Sequence, residues 1–412
     1  MKIMNEKLIV KNFGPIKNAE LDLKKVTIFI GPQGSGKSTL AKLVAIFKED
    51  VFKKDSIIQN LKDYGIHNFI KKESTNIYFQ SDLSIVKFND EYIQEFKELG
   101  NSLMIKIEEL NIKINRFMSM SHNITTGIDE ISNINIEYDK IMKEYKIKMP
   151  IYIPERRTSI SFLSSSLFGL MNKDINLPKT LTEFGNRYSK ASTNDSEDDA
   201  RFVRKDSPIK ENNKTKHIEL FDLQFQHRDG QDFLIDTKNN YEVNLRDSAS
   251  GMQSSIPLIL VVRHEYSAGN KHFIIEEPEL NLFPTTQKQL VGYLADKCTQ
   301  NGNELLMTTH SPYVLSAINN LIFAFQVAQV LPERADEIAQ IIPQEQWLNP
   351  DDVAAYYVGE DENGEKGGIH SIFNKKTGLI GENELDEVSD ELGDEFNALM
   401  SIYRTRKRET VN

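Results

Sequence analysis

The chain of 412 residues predicts an α/β fold built around a phosphate-binding loop, and two stretches carry most of that prediction. The first is Gly31-Pro32-Gln33-Gly34-Ser35-Gly36-Lys37-Ser38, which follows the apolar run Val26–Ile30 and opens a helical stretch. That strand–loop–helix setting is the one in which such a loop cradles phosphate. The second is Phe273-Ile274-Ile275-Glu276-Glu277-Pro278, an apolar strand ending in two adjacent acids.

Along the chain, Leu8–Phe13, Ala19–Leu23 and Val26–Ile30 read as short strands, the first two separated by the Gly14-Pro15 turn, and a helix runs from Lys37 to about Lys48. Asn76–Gln80 and Ser84–Phe88 read as a hairpin. From about Glu91 to Lys148 the period changes. Phe96, Leu103, Ile107, Leu110, Ile114 and Phe117 recur at heptad spacing, and Ile128, Ile131, Tyr138, Met142 and Tyr145 keep the register after the polar break Ser119–Thr126. Two helices of about 25 residues in an antiparallel hairpin, roughly 35–40 Å long, follow from this pattern. The hairpin either projects as an arm or packs on the core.

Ile151–Ile153 is apolar enough for a buried strand and runs into Pro154-Glu155-Arg156-Arg157. Residues 190–215, rich in Ser, Asp, Glu, Lys and Asn, read as a surface loop. Strands are expected at Ile218–Gln226, Asp232–Asp236 and Tyr241–Leu245, then at Glu304–Thr308. The tail reads as a strand pair, Ala354–Val358 and Gly368–Phe373, and an amphipathic helix from Asn383 to about Arg406. The expected organisation is an N-terminal lobe (1–50), an inserted helical hairpin region (51–150), a C-terminal lobe (151–330) and a small C-terminal α+β segment (331–412).

With 39% hydrophobic residues the chain can bury a large core, which excludes disorder of the whole. A formal charge of −11 argues against a broad basic surface for non-specific DNA binding. There is no run of eighteen apolar residues and the first residues do not resemble a signal peptide, so a cytoplasmic protein without a membrane partner is expected. The one cysteine, Cys298, has no partner for an internal disulfide and reads as core filler.

In the loop, glycines let backbone N–H groups curl round the phosphates, Lys37 reaches the β and γ oxygens, and the Ser38 hydroxyl is left for Mg²⁺. Residues Gly31 to Ser38, with Thr39 in the first helical turn, are therefore the ATP-binding candidates. Two adjacent acids suit two tasks: Glu276 orders the metal and Glu277 polarises the attacking water. Upstream, Ala249-Ser250-Gly251-Met252-Gln253 opens a helix that can present N–H groups to a γ-phosphate.

A Ser-Gly-x-Gln helix start before the paired acids, followed by a strand ending near His310 in Thr308-Thr309-His310-Ser311-Pro312, resembles the ATP-binding cassette layout of P-loop, signature, Walker B, D-loop and switch histidine. The resemblance implies that Ser250, Gly251 and Gln253 cap the nucleotide of a second subunit in a head-to-tail dimer, and that His310 senses the γ-phosphate. Val10-Lys11-Asn12-Phe13-Gly14-Pro15-Ile16, Tyr152-Ile153-Pro154-Glu155-Arg156, Glu276 to Pro284 and Thr309 to Tyr313 resemble the RecF/SMC/OLD-like group of AAA family ATPases. Walker B departs from the transporter pattern, with Glu276 where Asp is usual, and Gln80, Glu155 and Arg156 are alternatives for the Q-loop role.

For function, the resemblance implies an anti-phage defence ATPase that controls a separate nuclease or toxin effector. The TOPRIM nuclease of OLD relatives has no counterpart in the 102 residues after His310. The competing expectation is a RecF-like or SMC-like repair or clamp protein that contacts nucleic acid directly. Its phosphate contacts would come from Lys53, Lys54, Lys71, Lys72, Arg156, Arg157, Arg404, Arg406, Lys407 and Arg408. A transporter subunit fits the opening strands and the insertion poorly.

Overall fold

The computed structural model describes residues 6–50, 57–71, 74–89, 92–96, 98–120, 147–162, 177–193, 215–381 and 393–400, with positions 134, 136, 137, 140, 141, 144 and 145 between them. The chain opens with the hairpin β1 (Glu6–Phe13) and β2 (Ile16–Leu23), then β3 (Val26–Ile30), the phosphate loop and α1 (Lys37–Asp50). Next come α2 (Ile57–Asp63), β4 (Asn76–Gln80), β5 (Ser84–Phe88), β6 (Tyr92–Phe96) and α3 (Glu98–Met120). β7 (Met149–Ile153) leads into a 3-10 turn (Glu155–Phe162) and α4 (Lys179–Thr193). Four antiparallel strands follow, β8 (Thr215–Ile218), β9 (Leu223–Arg228), β10 (Gln231–Asp236) and β11 (Tyr241–Asn244), and then α5 (Ser250–Glu265). β12 (Lys271–Glu276), α6 (Pro284–Thr299), β13 (Glu304–Thr309), α7 (Pro312–Val330) and α8 (Ala335–Ile341) alternate strand with helix. β14 (Val353–Glu360), β15 (Lys366–Ser371) and a short pair, β16 (Phe373–Asn374) with β17 (Leu379–Ile380), complete the strands among the described residues.

The central sheet has the order β15-β14-β3-β13-β12-β7, with every neighbouring pair parallel except β14 and β15. Parallel strands covered on both faces have to be apolar throughout, and β3 is buried at all five positions. Alternate residues feed two cores. Val26, Ile28 and Ile30 pack with α5, α6 and α7 on one face, while Phe29, Ile274 and Leu306 pack with α1 and the β1–β2 hairpin on the other. Cys298 is buried on α6, as core filler should be. Although α7 is apolar enough to span a membrane, Val314, Leu315, Ile318, Leu321 and Ile322 are buried in the first of these cores.

Several sequence expectations shift. The stretch from residue 91 begins with a strand: β6 pairs with β5, so β4–β6 extend the β1–β2 hairpin into one five-stranded antiparallel sheet. Residues 76–96, assigned by sequence to the inserted region, therefore belong structurally with the opening strands, and Phe96 sits on a strand. The expected strand Ile218–Gln226 is broken by a turn at 219–222, where Asp222 takes φ +53°. The strand pair near the C-terminus lies inside the central sheet, because β14 pairs directly with the phosphate-loop strand β3. The expected loop at 190–215 falls mostly on residues outside those described, as does the terminal helix apart from 393–400, which is helical.

The helical pair is antiparallel among the described residues: Ser102 bonds Tyr145 at 2.7 Å, Lys106 pairs with Glu144 and Lys113 with Glu137, both at 2.6 Å. Leu103, Ile107, Leu110 and Ile114 form a separate apolar cluster with Ile134, Ile141, Tyr145 and Ile147, joined to the lobe through Leu83 and Met149. The heptad positions Leu103, Ile107, Leu110 and Ile114 of α3 thus face a helix partner, as their spacing predicts.

Candidate functional site

Strand order brings the motifs to one end of the sheet. β3, β13 and β12 run parallel and side by side, so their carboxyl ends carry the phosphate loop, His310 and Glu276 in neighbouring positions. Crevices at the carboxyl ends of such strands are where open α/β sheets bind ligands.

The loop's glycines answer to steric demands. Gly31 has φ +147° and a Cβ there would lie 2.1 Å from the Val358 carbonyl of β14, whereas Gly36, at φ +111°, would meet Ile16 at 2.4 Å. Pro32, Gln33 and Gly34 are exposed, while Lys37 and Thr39 are buried and Ser38 is half-buried. The Lys37 ammonium donates to the carbonyls of Gly31 and Pro32, each at 2.8 Å. Burial pulls Lys37 down to about 8, against the upward pull of Glu277, Glu279, Glu155 and Glu276.

Opposite the loop, the end of β12 is held by many partners. Glu276 is buried, and its Oε2 accepts the Glu155 N–H at 3.1 Å. Its Oε1 is buried without a hydrogen-bond partner, and so is Ser35 Oγ in the loop. Burial, then the Glu276 carboxylate beside it, pushes the Tyr152 phenol well above its ordinary value. Glu277 sits in the left-handed region at φ +42°, its N–H donating to the Thr308 carbonyl at 2.9 Å. Its Oε1 lies 2.8 Å from His310 Nε2. That bond, opposed by burial, holds Glu277 below the usual carboxylate range and keeps it ionised. Glu279 accepts from the Thr309 hydroxyl at 2.6 Å and the His310 N–H at 2.9 Å, which fixes the backbone that carries His310.

Sequence reasoning misread one residue here and overlooked two. Arg157, assigned to phosphate contacts on a DNA surface, is fully buried and cannot make them. Its five N–H groups reach the carbonyls of Ser254 (2.9 Å), Pro154 (3.2 Å), Glu276 (2.6 Å), Glu277 (2.6 Å) and Pro278 (3.3 Å). Burying a guanidinium costs several kcal/mol, and bonds from a charged donor contribute about 1.5–3 kcal/mol each, so five of them offset that cost. Burial still draws Arg157 down to about 10, which leaves it charged at neutral pH. Glu279 and Thr309 lie within the motifs, but the sequence pattern gives neither a role. The third acid of Glu276-Glu277-Pro278-Glu279 was the available signal.

The signature residues stand at the start of α5. Ser250 is exposed, and Gly251 is required because a Cβ would lie 2.7 Å from the Asn281 carbonyl. Gln253 turns its amide onto the carbonyls of Arg246 (2.8 Å) and Ser248 (2.9 Å), shaping the loop before the helix. Of the Q-loop alternatives, Gln80 lies on β4 in the lobe sheet, where its oxygen takes the Tyr78 hydroxyl. Glu155 and Arg156 are exposed just after β7, and burial, then Glu277 and Glu276, raises the Glu155 carboxyl. A cavity of about 460 Å³ lies between the end of β8 with the turn after it, α5 and α6, and none of the motif residues lines it.

Among the described residues no cluster of three His, Cys, Asp or Glu makes a self-contained metal cage. The residues present instead suit a cation that arrives with phosphate: a partnerless Glu276 oxygen, the Ser38 hydroxyl, and several carboxylates gathered round Lys37.

The sequence matches the model of the AAA ATPase domain over residues 1–229 and 179–315. No curated protein matches it. Among solved structures, the chain is similar to the SMC head domain from Thermotoga maritima (12% identity, TM-score 0.34), covering 76% of this chain and 92% of that one. An Smc head bound to the C-winged helix domain of ScpA aligns at 12% identity and TM-score 0.37, with 76% and 91% covered. An Smc head with an extended coiled coil, bound to the C-terminal domain of ScpA derived from Pyrococcus furiosus, aligns at 10% identity and TM-score 0.31, with 76% and 90% covered.

Proposed function

Since the chain belongs to the AAA ATPase domain family, we propose that it is an ATP-hydrolysing switch with Glu277 as the base that activates water. The Glu277–His310 pair carries this reading: an ionised carboxylate, aimed by a histidine and set in the same crevice as the Lys37 loop. Lys37 leaves the carbonyls of Gly31 and Pro32 to hold the β and γ oxygens, and the loop's N–H groups hold the rest of the phosphate chain. Glu277 takes the proton of the water that attacks the γ-phosphorus, the bond to the β–γ bridging oxygen breaks, and ADP and phosphate result. Ser38 and Glu276 are the residues that would hold Mg²⁺, which when bound supplies charge neutralisation across the β and γ oxygens. His310 fixes the carboxylate and reports the γ-phosphate.

The active unit in this reading is a head-to-tail dimer in which the exposed Ser250 and the half-buried Gly251, at the N-terminus of α5, cap the nucleotide of the other subunit. The work is done on a separate nuclease or toxin in an anti-phage defence system. The helical pair supports a docking role, because Ile105 and Ile112 of α3 and Ile136 of its partner stretch are about 60% exposed (59%, 67% and 63%) on an arm with its own apolar cluster. Direct DNA binding loses the buried Arg157 from its expected contacts.

The test is a native pull-down of the Glu277→Gln protein from its host with ATP present, analysed for protein and nucleic acid. A stoichiometric nuclease or toxin-like partner is the expected result. Recovery of DNA without a protein partner would replace the effector reading with the repair or clamp one.

A further inference from the structure

We propose that Arg157 is a positioning residue that transmits the state of the signature helix to the catalytic carboxylate, an inference that rests on the ATPase reading above. Its guanidinium is used as a flat, five-armed template rather than as an ion-pair partner. Every N–H group goes to a backbone carbonyl, and those carbonyls come from three separate segments: Pro154 after β7, Ser254 in α5, and Glu276 to Pro278 at the end of β12.

The geometry at each end explains what such a template does. At one end, Glu277 is a non-glycine residue held at φ +42°, a backbone shape that persists only when its surroundings impose it. The Arg157 Nη2 bond to its carbonyl and the Thr308 bond to its N–H are the constraints that do so. At the other end, Ser254 lies one turn beyond the exposed Ser250, and its hydroxyl reaches Gly251 O at 3.0 Å and Leu280 O at 2.7 Å. Movement of the start of α5 against a second subunit's nucleotide therefore shifts the Ser254 carbonyl. The rigid guanidinium carries that shift to the peptide planes on either side of Glu277. A lysine offers three donors from one point and cannot span the three segments.

Steady-state ATP hydrolysis and nucleotide affinity of the full chain, measured for wild type, Arg157→Lys and Arg157→Ala, test this. Expected is a drop in kcat of about 100-fold, the cost of a small misplacement of a catalytic group. ATP affinity, set by the phosphate loop, stays unchanged. Methylguanidinium added to Arg157→Ala restores part of kcat. A variant with unaltered kcat, or one that loses affinity and kcat in parallel, overturns the proposal.

Hydrogen exchange on the amides of Glu277 and of Glu279 to Leu282, with and without a non-hydrolysable ATP analogue, gives a second readout that does not depend on turnover. Protection gained by wild type and lost in Arg157→Lys is expected, and equal protection in both overturns the coupling. Absent turnover in wild type would count against the ATPase reading alone, since this exchange comparison still decides the role of Arg157.

Discussion

The phosphate loop and the corner opposite it hold the same ligand chemistry in different ways. The loop is eight consecutive residues whose chemistry is mostly internal: Lys37 bonds two carbonyls of its own loop, and the glycines give the backbone its curvature. The corner draws on residues 154–157, 249–254, 276–279 and 308–310, and its bonds run between segments up to 121 positions apart. A site made of backbone can be written in one short motif. A site made of long-range bonds shares its geometry with the whole sheet, so it can respond to events elsewhere while the loop keeps its shape.

Substitutions can break or sharpen this contrast. The largest effect is expected for Lys37→Ala, which removes two or more charge-assisted bonds of about 1.5–3 kcal/mol each and should lower ATP affinity by about 10²–10⁴-fold in equilibrium binding. Glu277→Gln should leave that affinity intact and lower kcat by about 10²–10⁴-fold, the usual worth of a general base. Normal hydrolysis by this variant would remove the base assignment. Ser250→Arg should spare binding by the single chain yet stop turnover and ATP-dependent dimerisation, read by mass in solution. Turnover equal to wild type would remove the head-to-tail arrangement.

A smaller effect is expected for Thr309→Val, which keeps the side-chain shape but takes a donor from the buried Glu279 carboxylate. The cost should be about 1–3 kcal/mol in unfolding free energy. The smallest effect lies at the far end of the sheet. There His272 is buried, with Nδ1 3.5 Å from a Glu304 oxygen, beside Lys48 and Lys148. Burial, then Lys48, drives His272 well below 6.5. Below pH 6.5 the unfolded chain takes up a proton that the folded protein refuses, so this contribution to stability is present above pH 6.5 and is lost as pH falls. Unfolding measured from pH 6.5 to 5.5 should show a loss of about 1 kcal/mol that His272→Leu abolishes.

The same division explains what could be read from the sequence. The loop, the paired acids, the signature start and His310 each sit at a strand or helix end that local patterning marks, and the structure puts them at those ends. Phe96 continues the heptad spacing of α3 and so reads as helix, and spacing alone cannot show that Tyr92–Phe96 pairs with β5. The place of β14 depended on a strand pairing across more than 300 residues, which no local period encodes. Arg157 was misjudged because the type of a residue says nothing of its burial. A charged side chain among polar neighbours looks the same whether it faces DNA or five carbonyls.

β14 gives the phosphate loop a timetable. The loop's first glycine packs against the Val358 carbonyl, and β3 gains its second parallel neighbour only from Val353 onward. During synthesis at about 5–20 residues per second, the ribosome needs roughly 15–65 s to travel from the end of β3 to the start of that strand. Through that interval one edge of β3 has no strand beside it, and the Lys37 loop lacks the wall against which Gly31 rests.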